Sequence, residues 1–164
     1  MPFRNNVTRL LDARQVQYEV FEFSPPSGKH SAEATAELLG VPPERVYKTL
    51  VVLREAKGKK PLLVMVPAGR DLNLKALAAW LGEKKLTMAS QREAESLTGL
   101  QVGGISALAL LNKGFGMCIE KAALELPYIH ISAGQRGANL RLGVKDLIEI
   151  TGARLVETGG LTSF

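Results

Sequence analysis

A lysine sits inside the most strand-like stretch of this sequence. Residues 46–53 read Val-Tyr-Lys-Thr-Leu-Val-Val-Leu, and side chains on a strand alternate faces. Lys48 therefore shares a face with Val46, Leu50 and Val52, while Tyr47, Thr49, Val51 and Leu53 take the other. An unpaired ammonium on an apolar face is costly to bury. It needs a partner, a cleft, or a strand end from which to reach water. A cleft lysine suits a phosphate or a ribose hydroxyl, because ammonium is a compact cation with three donors. A strand-end lysine is merely solvated, and alternation alone leaves both readings open.

Two loops add backbone chemistry. Gly103-Gly104-Ile105-Ser106 pairs two glycines, and paired glycines let N–H groups approach a ligand closely, as an oxyanion hole or phosphate nest requires. Ser132-Ala133-Gly134-Gln135-Arg136-Gly137 carries two glycines and an arginine, a composition suited to an RNA backbone or a ribose. Ordinary solvated turns are the bland alternative for both. His130 shares a face with Tyr128 and Ser132 and reads as a packed strand histidine. Asp71 and Asp146 read as helix-cap and helix-surface carboxylates.

The elements that must position these residues follow from periodicity and punctuation. A short helix is expected at 6–14, with Val7, Leu10 and Leu11 on one face, and a strand at 18–23. A loop at 24–30 follows from its turn chemistry. Ser31 caps a helix stopped by Gly40. Strands at 46–53 and 62–66 flank a polar turn and predict a hairpin in the middle of a covered sheet. A helix at 73–81 closes on Gly82, and a short strand is expected at 85–89. Ser90-Gln91-Arg92-Glu93 is a capping box opening a helix that stops at Gly99. Strands at 117–120, 128–132 and 139–142, a helix at 144–151 and a strand at 153–156 complete the pattern, with residues 158–164 expected to fray. Helices and strands interleave without regular alternation, so the expected class is α+β, with helices packed on a curved mixed sheet.

Composition bounds the remaining choices. The 164 residues suit a single domain spanning 1–164, with 46% hydrophobic and 23% charged residues. No apolar run is long enough for a membrane helix, and the first eleven residues lack a signal-peptide core, so the cytoplasm is the expected location. Cys118 is the only cysteine, which excludes an internal disulfide; it reads as a buried core thiol. With one Cys and two His at no ligand spacing, no metal site is expected. No G-x-S-x-G elbow occurs. The net charge of +5 favours anionic partners, nucleic acid among them, although many proteins with mixed surfaces share such an excess.

Three stretches in this order resemble the YbaK/ProX family of freestanding tRNA-editing deacylases, related to the editing domain inserted in some bacterial prolyl-tRNA synthetases. They are Val46-Tyr47-Lys48-Thr49-Leu50, Val102-Gly103-Gly104-Ile105-Ser106 and Ser132-Ala133-Gly134-Gln135-Arg136-Gly137, within a likeness running from about residue 7 to 156. The resemblance implies a barrel-like mixed sheet, and a pocket for the charged 3′ acceptor end of a mischarged tRNA. It implies no cofactor and no acyl-enzyme, with groups of the substrate assisting the chemistry. The residue matching Lys48 positions the terminal adenosine and the ester. The loop from Gly103 to Ala107 holds the carbonyl and the amino acid, and the 132–137 loop contributes Ser132, Gly134, Arg136 and Gly137. The implied activity is removal of cysteine from tRNA(Pro), with prolyl-tRNA synthetase as a transient partner.

The sequence departs from that branch where Ala107 replaces a usual proline, Phe23 an aromatic hydroxyl, and Asn139 an acidic residue. These positions bear on substrate identity more than on reaction class. An Ala-tRNA(Pro) deacylase of the same family, a noncatalytic tRNA- or nucleotide-binding module, and a protein-interaction domain with an unrelated pocket are the rival readings.

Overall fold

A computed structural model describes residues 3–25, 31–55 and 57–158. The first helix, α1 (Asn6–Ala13), starts at a capping box in which Asn5 and Thr8 exchange hydrogen bonds, and it buries Val7 and Leu11. Strand β1 (Tyr18–Glu22) follows, then α2 (Ala32–Leu39), capped by Ser31. The expected loop at 24–30 falls mostly outside the described residues. A single 3-10 turn (Pro43–Arg45) leads into β2 (Tyr47–Arg54), which forms the predicted antiparallel hairpin with β3 (Leu62–Pro67). Helix α3 (Leu74–Leu81), strand β4 (Leu86–Met88) and helix α4 (Gln91–Thr98) come next, and α4 opens on the capping box at Ser90 and Glu93. The last elements are β5 (Gly116–Glu120), β6 (Tyr128–Ser132), β7 (Ala138–Gly143), α5 (Val144–Thr151) and β8 (Arg154–Val156).

The strands divide into two sheets where one continuous curved sheet was expected, and no closed barrel forms among the described residues. One sheet has the order β1-β7-β6 and the other β4-β2-β3-β5-β8. They meet at a single parallel bridge between Val46 and His130. The contact is brief for a local reason. The 3-10 turn ends at Arg45, and from Tyr47 onward the chain is paired with β3. β6 meanwhile is paired along its length with β7.

The alternation read along β2 organises the core. Val52, with Leu62, Val64 and Val66 of β3, packs under Leu77 and Ala78 of α3, and Leu50 joins that cluster. From the opposite face, Val51 and Leu63 pack with Ala94 of α4 and Ile105. Tyr47 and Met65 belong to the largest cluster, which gathers Ile129 and Ile131 of β6, Leu140 and Leu142 of β7, and the apolar sides of α1 and α5. Every residue of β3 is buried, as a central strand of a covered sheet demands.

The end of the described chain is tied down. Thr158, expected to begin a frayed tail, is buried. Its N–H and hydroxyl both donate to Oε1 of Glu120, at 2.9 and 2.8 Å, while Oε2 accepts from the N–H of Ala122 at 2.9 Å. Glu120 is itself 1% exposed, so three donors satisfy a carboxylate that burial would otherwise penalise. Residues 159–164 lie outside the described residues. Replacing Glu120 by Ala leaves those donors without their acceptor, and the expected loss of stability is about 3 kcal/mol, to be read from urea unfolding.

Candidate functional site

A cleft of about 830 Å³ opens around the first half of β2. Its walls come from β2, the end of β6, the start of β7, the beginning of α2, α4 and the loop at 101–105. The structure brings together Lys48, Gly103, Ile105, Phe23, Ser132, Arg136 and Asn139 along this wall. It does not bring Gly104, Ser106, Ala107, Gly134 or Gly137 to the lining; these five stand behind the wall.

Lys48 is half-buried, opposite Val66 in the β2–β3 register. Of the two readings open from sequence, the cleft position is the one observed. Among the described residues no carboxylate lies within ion-pair distance of it. Its charge is therefore available to a ligand.

The glycine loop is a tight turn. The N–H of Gly104 donates to the carbonyl of Gln101 at 2.7 Å, with Gly103 at φ +96° in the third position, where the left-handed region favours glycine. The N–H of Val102 donates to Oε2 of Glu95 at 2.8 Å. These two donors are thus committed within the protein. The N–H groups of Gly103 and Ile105 have no acceptor among the described residues, and both residues line the cleft. Ser106 turns inward, where its hydroxyl accepts from the N–H of Leu108 at 3.2 Å. Ala107 is buried at φ −59°, a value that proline also adopts. Its backbone is thus held in the proline-compatible range without the ring.

Gly104 has a different reason for being glycine. A Cβ on it would lie 2.8 Å from the backbone of Gln135 and Arg136. The two loops singled out in the sequence therefore touch backbone to backbone, and the side chain of Arg136 lies over Gly103, 3.5 Å from where a Cβ would be. The second loop is pinned from several directions. Asn5, the cap of α1, donates from Nδ2 to the carbonyl of Ala133 at 2.7 Å. Ser132 accepts the N–H of Gly134 at 3.0 Å. Phe23 donates its N–H to the carbonyl of Gly137 at 2.9 Å, and a Cβ on Gly137 would meet the Phe23 carbonyl at 2.7 Å. Phe23 thus reaches the cleft because Gly137 makes room for its backbone.

Asn139 of the wall and His130 behind it form a buried pair, with Nδ1 of the imidazole 3.1 Å from Oδ1 of the amide. Phe21 packs against the imidazole at 5.3 Å between ring centroids. His130 is a packed strand histidine, as expected, but it also holds a cleft residue. Burial pushes its pKa below the usual 6.5, and the Asn139 hydrogen bond opposes that shift. Tyr47 also reaches the cleft, and burial, aided by the charge of Glu120, pushes its phenol up to about 12, which keeps it a donor at neutral pH. Cys118 is buried away from the cleft, and burial pushes its thiol up to about 11. Sequence reasoning missed Glu33, Glu95 and Gln101 in the cleft lining. The capping box gave the start of α4, but that Glu95 reaches Val102 is a tertiary fact without a local signal.

The aminoacyl-tRNA editing domain family matches residues 26–150 of this chain. The chain belongs to the YbaK family of aminoacyl-tRNA editing domains. EbsC of Enterococcus faecalis, named as a candidate Cys-tRNA(Pro)/Cys-tRNA(Cys) deacylase, is 31% identical over 154 residues, covering 94% of this chain and 92% of EbsC. The proline–tRNA ligase of Limosilactobacillus fermentum is 28% identical over 85 residues, 51% of this chain but only 15% of the ligase. Among solved structures, a hypothetical protein of 26% identity superimposes with a TM-score of 0.82, covering 93% of this chain and 98% of the other. The family read from three short stretches is thus the family of the whole domain, and its members are tRNA-editing deacylases related to prolyl-tRNA synthetase editing. Among the described residues no helix is long and apolar enough to cross a membrane.

Two expectations follow for this editing domain. Gly104→Ala forces apart two backbones that cannot yield cheaply, and is expected to cost about 1–3 kcal/mol in urea unfolding. For His130, the unfolded chain titrates near 6.5 and the folded one lower, so the unfolded state binds more protons as pH falls. The contribution of the neutral imidazole is therefore complete above the unfolded value and is lost progressively below it, levelling off only beneath the folded value. Unfolding free energies measured from about pH 7 to about pH 5 should decline, and His130→Gln should remove that part of the decline.

Proposed function

We propose that this protein is a trans-editing hydrolase that removes a wrongly attached amino acid, cysteine foremost, from tRNA(Pro). The observation that carries the reading is the pairing of an unneutralised Lys48 with the acceptor-free N–H groups of Gly103 and Ile105 across one cleft. An ester carbonyl developing negative charge needs such preoriented donors. A compact cation suits the ribose and phosphate of a terminal adenosine. The name borne by EbsC supports cysteine as the amino acid.

The chemistry follows from what the cleft lacks as well as what it holds. The only thiol of the chain is buried elsewhere and protonated. Ser132 has its oxygen engaged by Gly134, and Ser106 turns inward. In this reading the reactive group comes from the substrate: the cysteine thiol is intrinsically nucleophilic even when only a small fraction is thiolate. Editing is needed because a synthetase pocket rejects a near-isostere by only about 1–3 kcal/mol. Prolyl-tRNA synthetase is the natural source of the mischarged substrate and a transient partner in this account. Exhaustive chelation should leave the activity within a few-fold.

The test is turnover of a panel of mischarged tRNAs. Cys-tRNA(Pro) should be hydrolysed faster than Ala-tRNA(Pro), with Pro-tRNA(Pro) spared. A serine ester, close in size to cysteine but a poorer nucleophile, should react much more slowly. Equal rates for serine and cysteine would show sorting by size, and alanine ahead of cysteine would place the protein in the alanine-editing branch. Lys48→Ala and Lys48→Arg should both fold and lose most of the activity, because a planar guanidinium does not replace a compact point charge. Near-normal turnover by a folded Lys48→Ala protein would remove Lys48 from the mechanism.

A further inference from the structure

We infer that Glu95 reads the free α-ammonium of the aminoacyl group, so that the cleft selects esters of unblocked amino acids over N-acylated ones. The inference rests on the deacylase reading above and assigns a substrate feature to a residue outside the three motif stretches.

The position of Glu95 is set by its hydrogen bond. Oε2 accepts the N–H of Val102 at 2.8 Å, and Val102 is the chain neighbour of Gly103, a lining residue whose own N–H has no acceptor among the described residues. A half-buried carboxylate is thereby fixed in the cleft lining, one residue from a donor for the ester carbonyl. The second oxygen, Oε1, has no hydrogen-bond or ion-pair partner among the described residues. An aminoacyl ester carries one positive charge, on the nitrogen attached to the carbon next to the carbonyl. A carbonyl held at Gly103 and Ile105 therefore leaves the ammonium within a few ångströms of it, in the neighbourhood of Glu95.

The other charges of the cleft sharpen the assignment. Lys48 and Arg136 are cations and repel an ammonium. Glu33 is the second carboxylate of the lining, but it belongs to the first turn of α2, where a helix dipole accounts for an acidic residue. Its carboxylate lies at Gly69, with Oε2 3.6 Å from the position of a Cβ there, whereas that of Glu95 is bonded to the glycine loop at Val102. An N-acyl group removes the charge that Glu95 complements and leaves its free oxygen without a cation to pair.

The experiment compares Cys-tRNA(Pro) with its N-acetylated form, using the parent protein and Glu95→Gln. Glutamine keeps an oxygen for the Val102 N–H and loses only the charge. The parent should favour the free amine by about tenfold or more in kcat/KM, as a charge-assisted hydrogen bond provides. In Glu95→Gln the preference should shrink to about twofold, by a rise in KM for the free ester alone, with the N-acetyl ester cleaved as by the parent. A preference that survives in Glu95→Gln would mean rejection by bulk and would overturn the inference. An equal loss on both esters would mean a purely structural role and would also overturn it, as would a preference abolished by Glu33→Gln instead. Turnover by the parent without any preference sinks this inference alone, whereas no turnover of either ester by the parent sinks the deacylase reading and this one with it.

Discussion

The site depends on one close approach. The backbone at Gly104 lies against that of Gln135 and Arg136 with no room for a side chain between them. That contact joins the loop between α4 and β5 to the loop between β6 and β7, and β5 lies in a different sheet from β6 and β7. Since among the described residues the Val46–His130 bridge is the one backbone pairing between the sheets, the loop contact helps to give the cleft a continuous wall. Lys48 enters from β2, next to the bridge, so the cation and the backbone donors are placed by the same junction.

The donors are backbone groups held by side chains from elsewhere. Asn5 fixes the 132–137 loop from the cap of α1, Glu95 fixes the start of the glycine loop from α4, and Phe23 is held by the carbonyl of Gly137. Groups locked in this way need no reorganisation when charge develops on a substrate, the condition under which electrostatic stabilisation is strongest. The arrangement also explains why so many of the motif glycines do not touch the cleft. Gly104 and Gly137 permit close packing, and Gly134 sits 3.2 Å from Val7 at the position a Cβ would take.

What was legible in the sequence was local. Gly40, Gly82, Gly99 and Gly152 each end a helix in the left-handed conformation, and the capping box at Ser90 starts one, because caps involve residues a few positions apart. The alternation in β2 correctly set Leu50 and Val52 apart from Tyr47 and Val51. The split into two sheets, the burial of Thr158 against Glu120, and the reach of Glu95 to Val102 were not legible. Each joins residues through folding rather than through spacing; Thr158 and Glu120 are 38 positions apart. The order of three short stretches was enough for the family. It was not enough to separate the glycines that line the cleft from those that brace it, since both read as turns.

The burial of Cys118 has a consequence for the protein's own durability. A thiol held near 11 is ionised to only about one part in ten thousand at neutral pH, and the thiolate is the form that attacks electrophiles and oxidants. In the proposed reaction a cysteine ester would bring both a reactive acyl group and a free thiol to the protein at every turnover. An accessible thiol of its own could take the acyl group from the ester, forming a thioester as the ribose hydroxyl leaves. With its single thiol in the core between β3 and β8, the protein is shielded from self-acylation in that reaction.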